Sequence, residues 1–256
     1  VVVNLATGTA SDGEGGTDSL ISIAHAVGSN FADTLIGRVD GERSLSFLLG
    51  GAGNDLIVAP MTAAELQAAG AFVGVWLNPT AAATVDLELG TVSAPGQGTD
   101  QLVNTNAASV FSAHNHSLFG TARDNWFETG EGADTIDGRG GFDTVEFTED
   151  LATGRTGVTI SLATGVATDS WGFQDRLISI EGIRGFYGAD SLVGSNGDDW
   201  FGPAAGADTV DGGAGIDTLI YDFGALITIG RGGQTAVAQG VQIDLQAGTA
   251  IDPSGT

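Results

Sequence analysis

The stretch GFYGADSLVGSNGDDWFGPAAGADTVDGGAGIDTLI, residues 185–220, decides the fold. It divides without a gap into four units of nine residues, which begin at residues 185, 194, 203 and 212. Positions 1, 2 and 4 of the unit favour glycine or another small residue, position 6 is aspartate and position 8 is apolar. A short fixed period of this kind indicates stacked repeat units, each too small to bury its own apolar side chain.

The same unit occurs twice more, upstream. Residues 111–146 give four consecutive units, FSAHNHSLF, GTARDNWFE, TGEGADTID and GRGGFDTVE, of which the first has lost its glycines. Residues 28–36 and 50–58 give GSNFADTLI and GGAGNDLIV, separated by an insertion at residues 37–49. Three clusters of one unit predict three β-roll blocks of one architecture.

A longer repeat encloses these clusters. The similar stretches VNLATGTA, VDLELGTV, ISLATGVA and IDLQAGTA recur at intervals of about 80 residues. Asp18, Asp100 and Asp175 recur at matching distances, each with leucine two residues later. We expect three long repeats and the start of a fourth, in a chain that is part of a longer protein. The expected boundaries are 1–79, 80–155, 156–239 and 240–256.

The nine-residue unit follows the pattern G-G-x-G-x-D-x-U-x, and residues 50–58 and 212–220 match every defined position. The chain therefore resembles the RTX (repeats-in-toxin) hemolysin-type calcium-binding family of secreted bacterial proteins. The resemblance implies an all-β fold, a parallel β-roll or β-helix-like solenoid with several Ca²⁺ ions in its turns. It also implies export by a type I secretion system and folding outside the cell.

The residues themselves give a physical reason for calcium. The first six residues of a unit make a turn in which glycine allows positive φ and crowded carbonyls. The last three make a strand too short to be stable alone, so strands must stack into parallel sheets. Eighteen residues complete one coil, and each turn therefore lies beside the turn two units later. Two such turns offer carbonyl and carboxylate oxygens, and calcium takes 6–8 oxygen ligands at about 2.3–2.6 Å.

This geometry predicts which position-6 residues share an ion. The predicted pairs are Asp190 with Asp208, Asp199 with Asp217, and Asn125 with Asp143. Asp134 faces His116 in the turn without glycines, so we expect a weak or empty site there. The pairing of Asp33 with Asp55 stays open because the insertion lies between them. A simpler alternative is that these aspartates only form hydrogen bonds in Asx-turns, although stacked carboxylates without a cation would repel one another.

The net charge of the chain also favours calcium binding. The 256 residues include 32 acidic and 8 basic ones, for a net charge of −24. Such a field disfavours nucleic acids and anionic membrane surfaces as partners, and we expect no membrane span because no long apolar stretch occurs. Cysteine is absent, which excludes disulfides and thiolate metal sites. Since 42% of the residues are hydrophobic, we expect a chain that folds when calcium neutralises its carboxylates and is largely unfolded without it.

Two tryptophans occupy an unusual position. Trp126 and Trp200 stand at position 7 of equivalent units, beside Phe127 and Phe201 at position 8. Position 8 should point into the roll, which leaves position 7 facing outward, where tryptophan is uncommon. Either a connecting segment packs over each ring, or the rings form a stacking platform for a sugar or a partner protein.

Two further features have plain interpretations. His114 and His116 form an H-x-H pair, but no third metal ligand is evident, so drift in a decayed unit is the simpler explanation. Residues 62–72 predict a short helix that begins with a capping box of Thr62 and Glu65. We expect the stretches between the blocks to continue the solenoid as single coils.

No catalytic motif stands out, since G-x-S-x-G, H-E-x-x-H and Walker A patterns are missing. We interpret the chain as a non-enzymatic, calcium-dependent structural module of a secreted protein: an adhesin extender, surface-layer material or filament material. Identical modules in head-to-tail contact or a cell-surface polysaccharide are the expected partners. Two alternatives stay open: a C-terminal secretion and folding appendage of an extracellular hydrolase or polysaccharide-modifying enzyme, and a carbohydrate-binding module.

Overall fold

The computed structural model describes most of the chain as a solenoid of short strands. The described residues are 1–41, 44–147, 157–185 and 187–220, together with the backbone of 242–244 and 249–251. They are nearly all β, with one short helix in this part of the chain. The all-β solenoid predicted from the nine-residue period is confirmed.

The elements follow one another in three groups. The first contains β1 (Val2–Asn4), β2 (Thr9–Ser11), β3 (Asp18–Ser19), β4 (Ala26–Val27), β5 (Thr34–Ile36), β6 (Leu45–Leu49), β7 (Leu56–Val58), α1 (Ala63–Ala69) and β8 (Phe72–Leu77). The second contains β9 (Thr84–Asp86), β10 (Thr91–Ala94), β11 (Gly98–Val103), β12 (Ala107–Val110), β13 (Ser117–Phe119), β14 (Trp126–Thr129), β15 (Thr135–Asp137) and β16 (Thr144–Phe147). The third contains β17 (Thr159–Ser161), β18 (Val166–Thr168), β19 (Gln174–Ile178), β20 (Gly182–Arg184), β21 (Ser191–Val193), β22 (Trp200–Gly202), β23 (Thr209–Asp211), β24 (Thr218–Leu219), β25 (Gln242–Asp244) and β26 (Thr249–Ile251).

Two sheets make up the solenoid, and from β4 to β24 the chain alternates between them except at β9–β11 and β17–β19, where three consecutive strands lie in one sheet. The parallel sheet runs in the order β4-β6-β8-β12-β14-β16-β20-β22-β24, and all its pairings are parallel. The mixed sheet runs β3-β2-β1-β5-β7-β11-β10-β9-β13-β15-β19-β18-β17-β21-β23. Its parallel runs are separated by the antiparallel strands β10 and β18.

The stretches between the blocks are not single coils, so that prediction is wrong. Each is a three-stranded antiparallel meander within the mixed sheet, β9-β10-β11 and β17-β18-β19, and a third such meander, β1-β2-β3, precedes the first block. Glycine closes the first hairpin of each meander. Gly90 has φ 65°, and a Cβ there would lie 2.5 Å from the carbonyl oxygen of Leu102, so the hairpin requires glycine.

The meander also changes the order of the strands. From β8 the chain passes on to β9 and then folds back, so that β11 pairs in parallel with β7, the last mixed-sheet strand of the preceding block. β9 in turn pairs in parallel with β13 of the following block. In the same way β19 pairs with β15, and β17 pairs with β21. The second and third meanders therefore each belong to two blocks at once, whereas the first pairs with one block and ends at the edge strand β3.

The core lies between the two sheets and is built from position 8, as predicted. The position-8 side chains that are at most 1% exposed are Leu35, Ile57, Leu118, Phe127, Ile136, Val145, Leu192 and Phe201. Full burial of such a side chain contributes about 1.5–3 kcal/mol relative to exposure. The core thus holds the turns in register on both edges of the solenoid.

The predicted helix is confirmed, although it is shorter than 62–72. The Thr62 side chain accepts a hydrogen bond from the Glu65 N–H, and the Glu65 side chain accepts one from the Thr62 N–H, which is the capping box. The helix ends before Gly70, which adopts the left-handed conformation at φ 59°. The following Phe72 already belongs to β8. Leu66 anchors the helix to the core.

Candidate metal centre

The residue directly before each strand contacts its equivalent in the neighbouring turn. The Asp190 N–H donates to Asp208 Oδ1 at 2.9 Å, and the Asp199 N–H donates to Asp217 Oδ1 at 3.0 Å. Both pairs are 18 residues apart, the length of one predicted coil. The structure therefore stacks these two pairs of turns as the sequence indicated.

The earlier blocks repeat this contact. The Asn125 N–H donates to Asp143 Oδ1 at 2.7 Å, and the His116 N–H donates to Asp134 Oδ1 at the same distance. The turns of Asp33 and Asp55 are also stacked, because the Asp33 N–H donates to Asp55 Oδ1 at 2.8 Å. The insertion does not break the stack, since it supplies β6 to the parallel sheet on the other side of the coil.

The second side-chain oxygen is already bonded in one group of turns, which carry serine or threonine at position 2. The N–H of Ser29 donates to Asp33 Oδ2 at 2.5 Å, and the N–H of Ser195 donates to Asp199 Oδ2 at 2.6 Å. Asn125 has a single side-chain oxygen, Oδ1, and it accepts from the Thr121 N–H at 2.6 Å. The simple turn-forming role therefore accounts for much of what these three side chains do.

In a second group that oxygen is buried and unbonded. Oδ2 of Asp55, Asp134 and Asp143 has no hydrogen-bond partner among the described residues, and these residues are 2%, 1% and 0% exposed. Burial raises the pKa of Asp134 to about 7 and that of Asp143 to about 8. Because an unpaired buried charge is strongly destabilising, these carboxylates favour a bound cation.

Main-chain carbonyls lie close to the position-6 side chains in the stacked turns. A Cβ on Gly28 would lie 2.3 Å from the Gly50 carbonyl oxygen and 2.5 Å from Asp33 Oδ2. A Cβ on Gly51, at φ 98°, would lie 2.1 Å from the Ser29 carbonyl oxygen. Each turn therefore directs carbonyl oxygens and a carboxylate at its neighbour, across a gap that admits only hydrogen on the glycine Cα.

This donor set fits calcium. No three histidine, cysteine, aspartate or glutamate side chains converge in the described part of the chain, so an ion here would need carbonyl ligands as well as carboxylates. Calcium accepts mixed carboxylate and carbonyl oxygens in flexible geometry, whereas magnesium requires a tighter octahedron. Carboxylate and carbonyl oxygens are also poor ligands for soft transition metals.

Sequence reasoning missed three acidic residues that continue the stacks. The Asp55 N–H donates to Asp100 Oδ1 at 2.9 Å, and the Asp134 N–H donates to Asp175 Oδ1 at 2.8 Å. The Asp143 N–H donates to Glu181 Oε2 at 2.9 Å. A signal was present, because each of the three has an apolar residue two places later, like position 6 before position 8.

His116 takes its place in the stack through hydrogen bonds. Its Nδ1 accepts from the Ala83 N–H at 3.0 Å, and its Nε2 lies 2.9 Å from Ser112 Oγ. Burial lowers its pKa to about 4, so the ring is neutral and uses both nitrogens. This arrangement leaves no ring nitrogen of His116 for a metal, while the predicted weakness of the site at Asp134 stays a prediction.

The tryptophans differ from each other. Trp126 is 4% exposed and packs with Phe47 and Ala107 on the outer face of the parallel sheet, its ring centroid 5.6 Å from that of Phe72. Neighbouring strands, including β6 from the insertion, thus cover this ring, which is not available to stack on a sugar. Trp200 is half-buried.

Comparison with known families agrees with the geometry. The family model of the RTX calcium-binding nonapeptide repeat matches four copies at residues 38–59, 117–145 and 184–219. The chain carries RTX calcium-binding nonapeptide repeats in these three stretches. A comparison with curated proteins gave no match. Among the described residues, no helix is long and apolar enough to cross a membrane.

Proposed function

We propose that this chain is a calcium-dependent structural module of a secreted bacterial protein, which folds when calcium enters its turns outside the cell. The observation that carries the proposal is the buried, unpartnered Oδ2 of Asp55, Asp134 and Asp143 in turns lined by carbonyls. The residues proposed to hold the ions are Asp33, Asp55, Asn125, Asp134, Asp143, Asp190, Asp199, Asp208 and Asp217.

Electrostatics explains why folding would depend on the ion. The chain has a net charge of −24, and stacking places carboxylates at consecutive levels a strand spacing apart, about 4.8 Å. Several divalent ions would offset much of this charge, and their binding energy becomes folding energy because the unfolded chain has no preformed site. Extracellular modules of this kind bind calcium in the millimolar range, so the chain would stay unfolded in the cytosol.

The role we infer is mechanical and non-catalytic. Repeated blocks joined by meanders that belong to two blocks give a continuous rod, which suits an extender in an adhesin or material for a surface layer or filament. The long-repeat boundaries at residues 79, 155 and 239 belong to this proposal, as does head-to-tail contact between modules. Cell-surface polysaccharide remains a proposed partner of the parent protein.

Limited proteolysis at two calcium levels tests the proposal. At cytosolic, submicromolar calcium the chain should be digested rapidly, and at millimolar calcium it should resist digestion, with magnesium giving no protection. Equal resistance at both levels would refute calcium-coupled folding and the secretion argument that depends on it.

A further inference from the structure

The last turn of a meander stacks on the block that precedes it. We name residues 95–100 and 170–175 the closing turns, since they lead into β11 and β19, which pair with β7 and β15. The family matches end at residue 59 and begin again at residue 117, so the first closing turn lies outside them. The sequence of that turn with its strand, PGQGTDQLV, nevertheless has glycine at positions 2 and 4, aspartate at 6 and leucine at 8.

The contacts of the first closing turn are those of stacked nonapeptide turns, which are two units apart in the sequence. The Thr99 N–H donates to Asn54 Oδ1 at 3.0 Å, just as the Phe142 N–H donates to Asp124 Oδ1 at 2.9 Å within the second block. The Gly53 N–H donates to the carbonyl of residue 97 at 2.8 Å. The turns at 50–55 and 95–100 are therefore stacked in register, although they are 45 residues apart.

The backbone conformations also agree. Gly96 and Gly98 have φ of 80° and 99°, and the corresponding Gly51 and Gly53 of the turn above have φ of 98° and 132°. A Cβ on Gly98 would lie 1.7 Å from the Gly53 carbonyl oxygen. The Gly53 carbonyl of the turn at 50–55 thus faces the closing turn, as the Ser29 carbonyl faces Gly51 between two stacked nonapeptide turns.

Buried carboxylate oxygens point to a ligand at this level. Asp55 is 2% exposed and Asp100 is 6% exposed, and the Asp100 side chain is bound to the Asp55 N–H through Oδ1. Oδ2 of Asp55 is fully buried, lies over Gly50 in its own turn, and has no hydrogen-bond partner in the described ranges. Two buried carboxylates in adjacent turns repel each other unless a cation lies with them.

The second closing turn shows the same arrangement with one more acid. The Asp134 N–H donates to Asp175 Oδ1, and the Arg176 N–H donates to the Asp134 carbonyl at 2.8 Å. Asp134, Asp169 and Asp175 are 1%, 4% and 2% exposed, and Oδ2 of each has no hydrogen-bond partner within the residues described. The three side chains do not converge on one point, but Asp169 adds like-charge repulsion to both Asp134 and Asp175, which a cation between those two would relieve.

We propose that the closing turns complete two further calcium sites, one with Asp55 and Asp100 and one with Asp134 and Asp175. Each site joins sequence-distant turns and ties a meander to the block before it. The inference rests on the proposed function, because it assumes that nonapeptide turns bind calcium. Its consequence is that calcium joins one long repeat to the next, instead of only filling each block separately.

Calcium stoichiometry measured by native mass spectrometry and calorimetry tests this proposal. Asp100→Asn and Asp175→Asn each keep an oxygen that can accept the stacking hydrogen bond but remove the charge. Each variant should therefore bind one calcium ion fewer than the unmodified chain. The double variant should bind two fewer. Asp18→Asn is the matched control, since Asp18 stands in the equivalent turn of the first meander, where it is exposed on the edge strand β3. It should bind as many ions as the unmodified chain.

A variant in a nonapeptide turn distinguishes the closing-turn sites from the proposed function. Asp217→Asn changes a nonapeptide pair and should lose calcium if the proposed function is right. Unchanged stoichiometry in both Asp100→Asn and Asp175→Asn, with loss in Asp217→Asn, would overturn the closing-turn sites and leave the proposed function intact. No calcium binding by the unmodified chain would overturn both. Far-UV circular dichroism in calcium checks that each variant is folded, and either closing turn alone decides the matter if the other variant does not fold.

Discussion

Replacing Gly138 with alanine should disrupt the group of oxygens formed by the Asp143 carboxylate and the Ser179 carbonyl. An added Cβ would lie 2.2 Å from the Ser179 carbonyl oxygen and 2.3 Å from Asp143 Oδ2. The carboxylate would have to move by about 1 Å to reach ordinary contact, and overpacking of this kind typically destabilises by about 1–3 kcal/mol. Because the same space holds the oxygens proposed to bind calcium, the variant should also lose one calcium ion.

Gly140 in the same turn is the matched control. The nearest atom to an added Cβ there is Ala122 Cα at 3.8 Å, and its φ is not in the left-handed region. Gly140→Ala should therefore be neutral or stabilise by about 0.4–1 kcal/mol through the unfolded state. Thermal unfolding in saturating calcium should separate the two variants by roughly 1–4 kcal/mol. Equal stability and equal calcium stoichiometry of the two alanine variants would refute the claim that the space beside Gly138 holds calcium-binding oxygens.

Three further predictions concern the scaffold. Burial raises the pKa of Glu128 to about 8 from the usual 4.5. Between these two values the folded state holds a proton that the unfolded state releases. The free energy of unfolding in saturating calcium should therefore fall as the pH rises from about 4.5 to 8, by up to 1.4 kcal/mol per pH unit. Glu128→Gln should weaken this dependence in thermal melts at several pH values, because the neighbouring buried Glu146 also has a raised pKa, and an unchanged profile would contradict the assignment. Phe127→Ala should destabilise by about 3–5 kcal/mol in denaturant titrations because the ring is fully buried, and a loss under 1 kcal/mol would show that the site is not core. The Arg139 guanidinium donates to both Asp86 carboxylate oxygens, at 2.9 and 2.7 Å. Asp86→Asn should therefore destabilise the fold by about 1 kcal/mol, and this loss should become smaller at high salt. A loss that does not change with salt would argue against an ionic contribution.

Periodicity alone predicted much of the architecture. Position 8 is always apolar, so the burial of Phe127 and Phe201 and the coil of two units followed directly from the pattern. The capping residues Thr62 and Glu65 likewise located the helix. These features are local, because each depends on neighbouring residues or on a fixed step along the chain.

Features that depend on distant partners were less accessible. The alternating stretch VDLELGTV indicated strands, but the backward pairing of β11 with β7 depends on a hairpin at Gly90 and on a partner 45 residues upstream. Asp100 was noticed as a recurring residue but not placed in a turn stack, because its partner is not at the 18-residue step. The bonded carboxylates of Asp33 and Asp199 have serine at position 2 of their turns, whereas the unbonded ones have glycine or arginine there. This division became evident only with the hydrogen bonds.

The most direct test of calcium-coupled folding is a far-UV circular dichroism titration of residues 1–256 from an EDTA-treated sample. Calcium should produce a cooperative gain of β signal, at concentrations between tens of micromolar and millimolar as in sensor and extracellular sites. Magnesium at the same concentrations should produce little change. A chain already folded in EDTA and insensitive to calcium would show that the aspartates only shape turns, and would contradict the central claim.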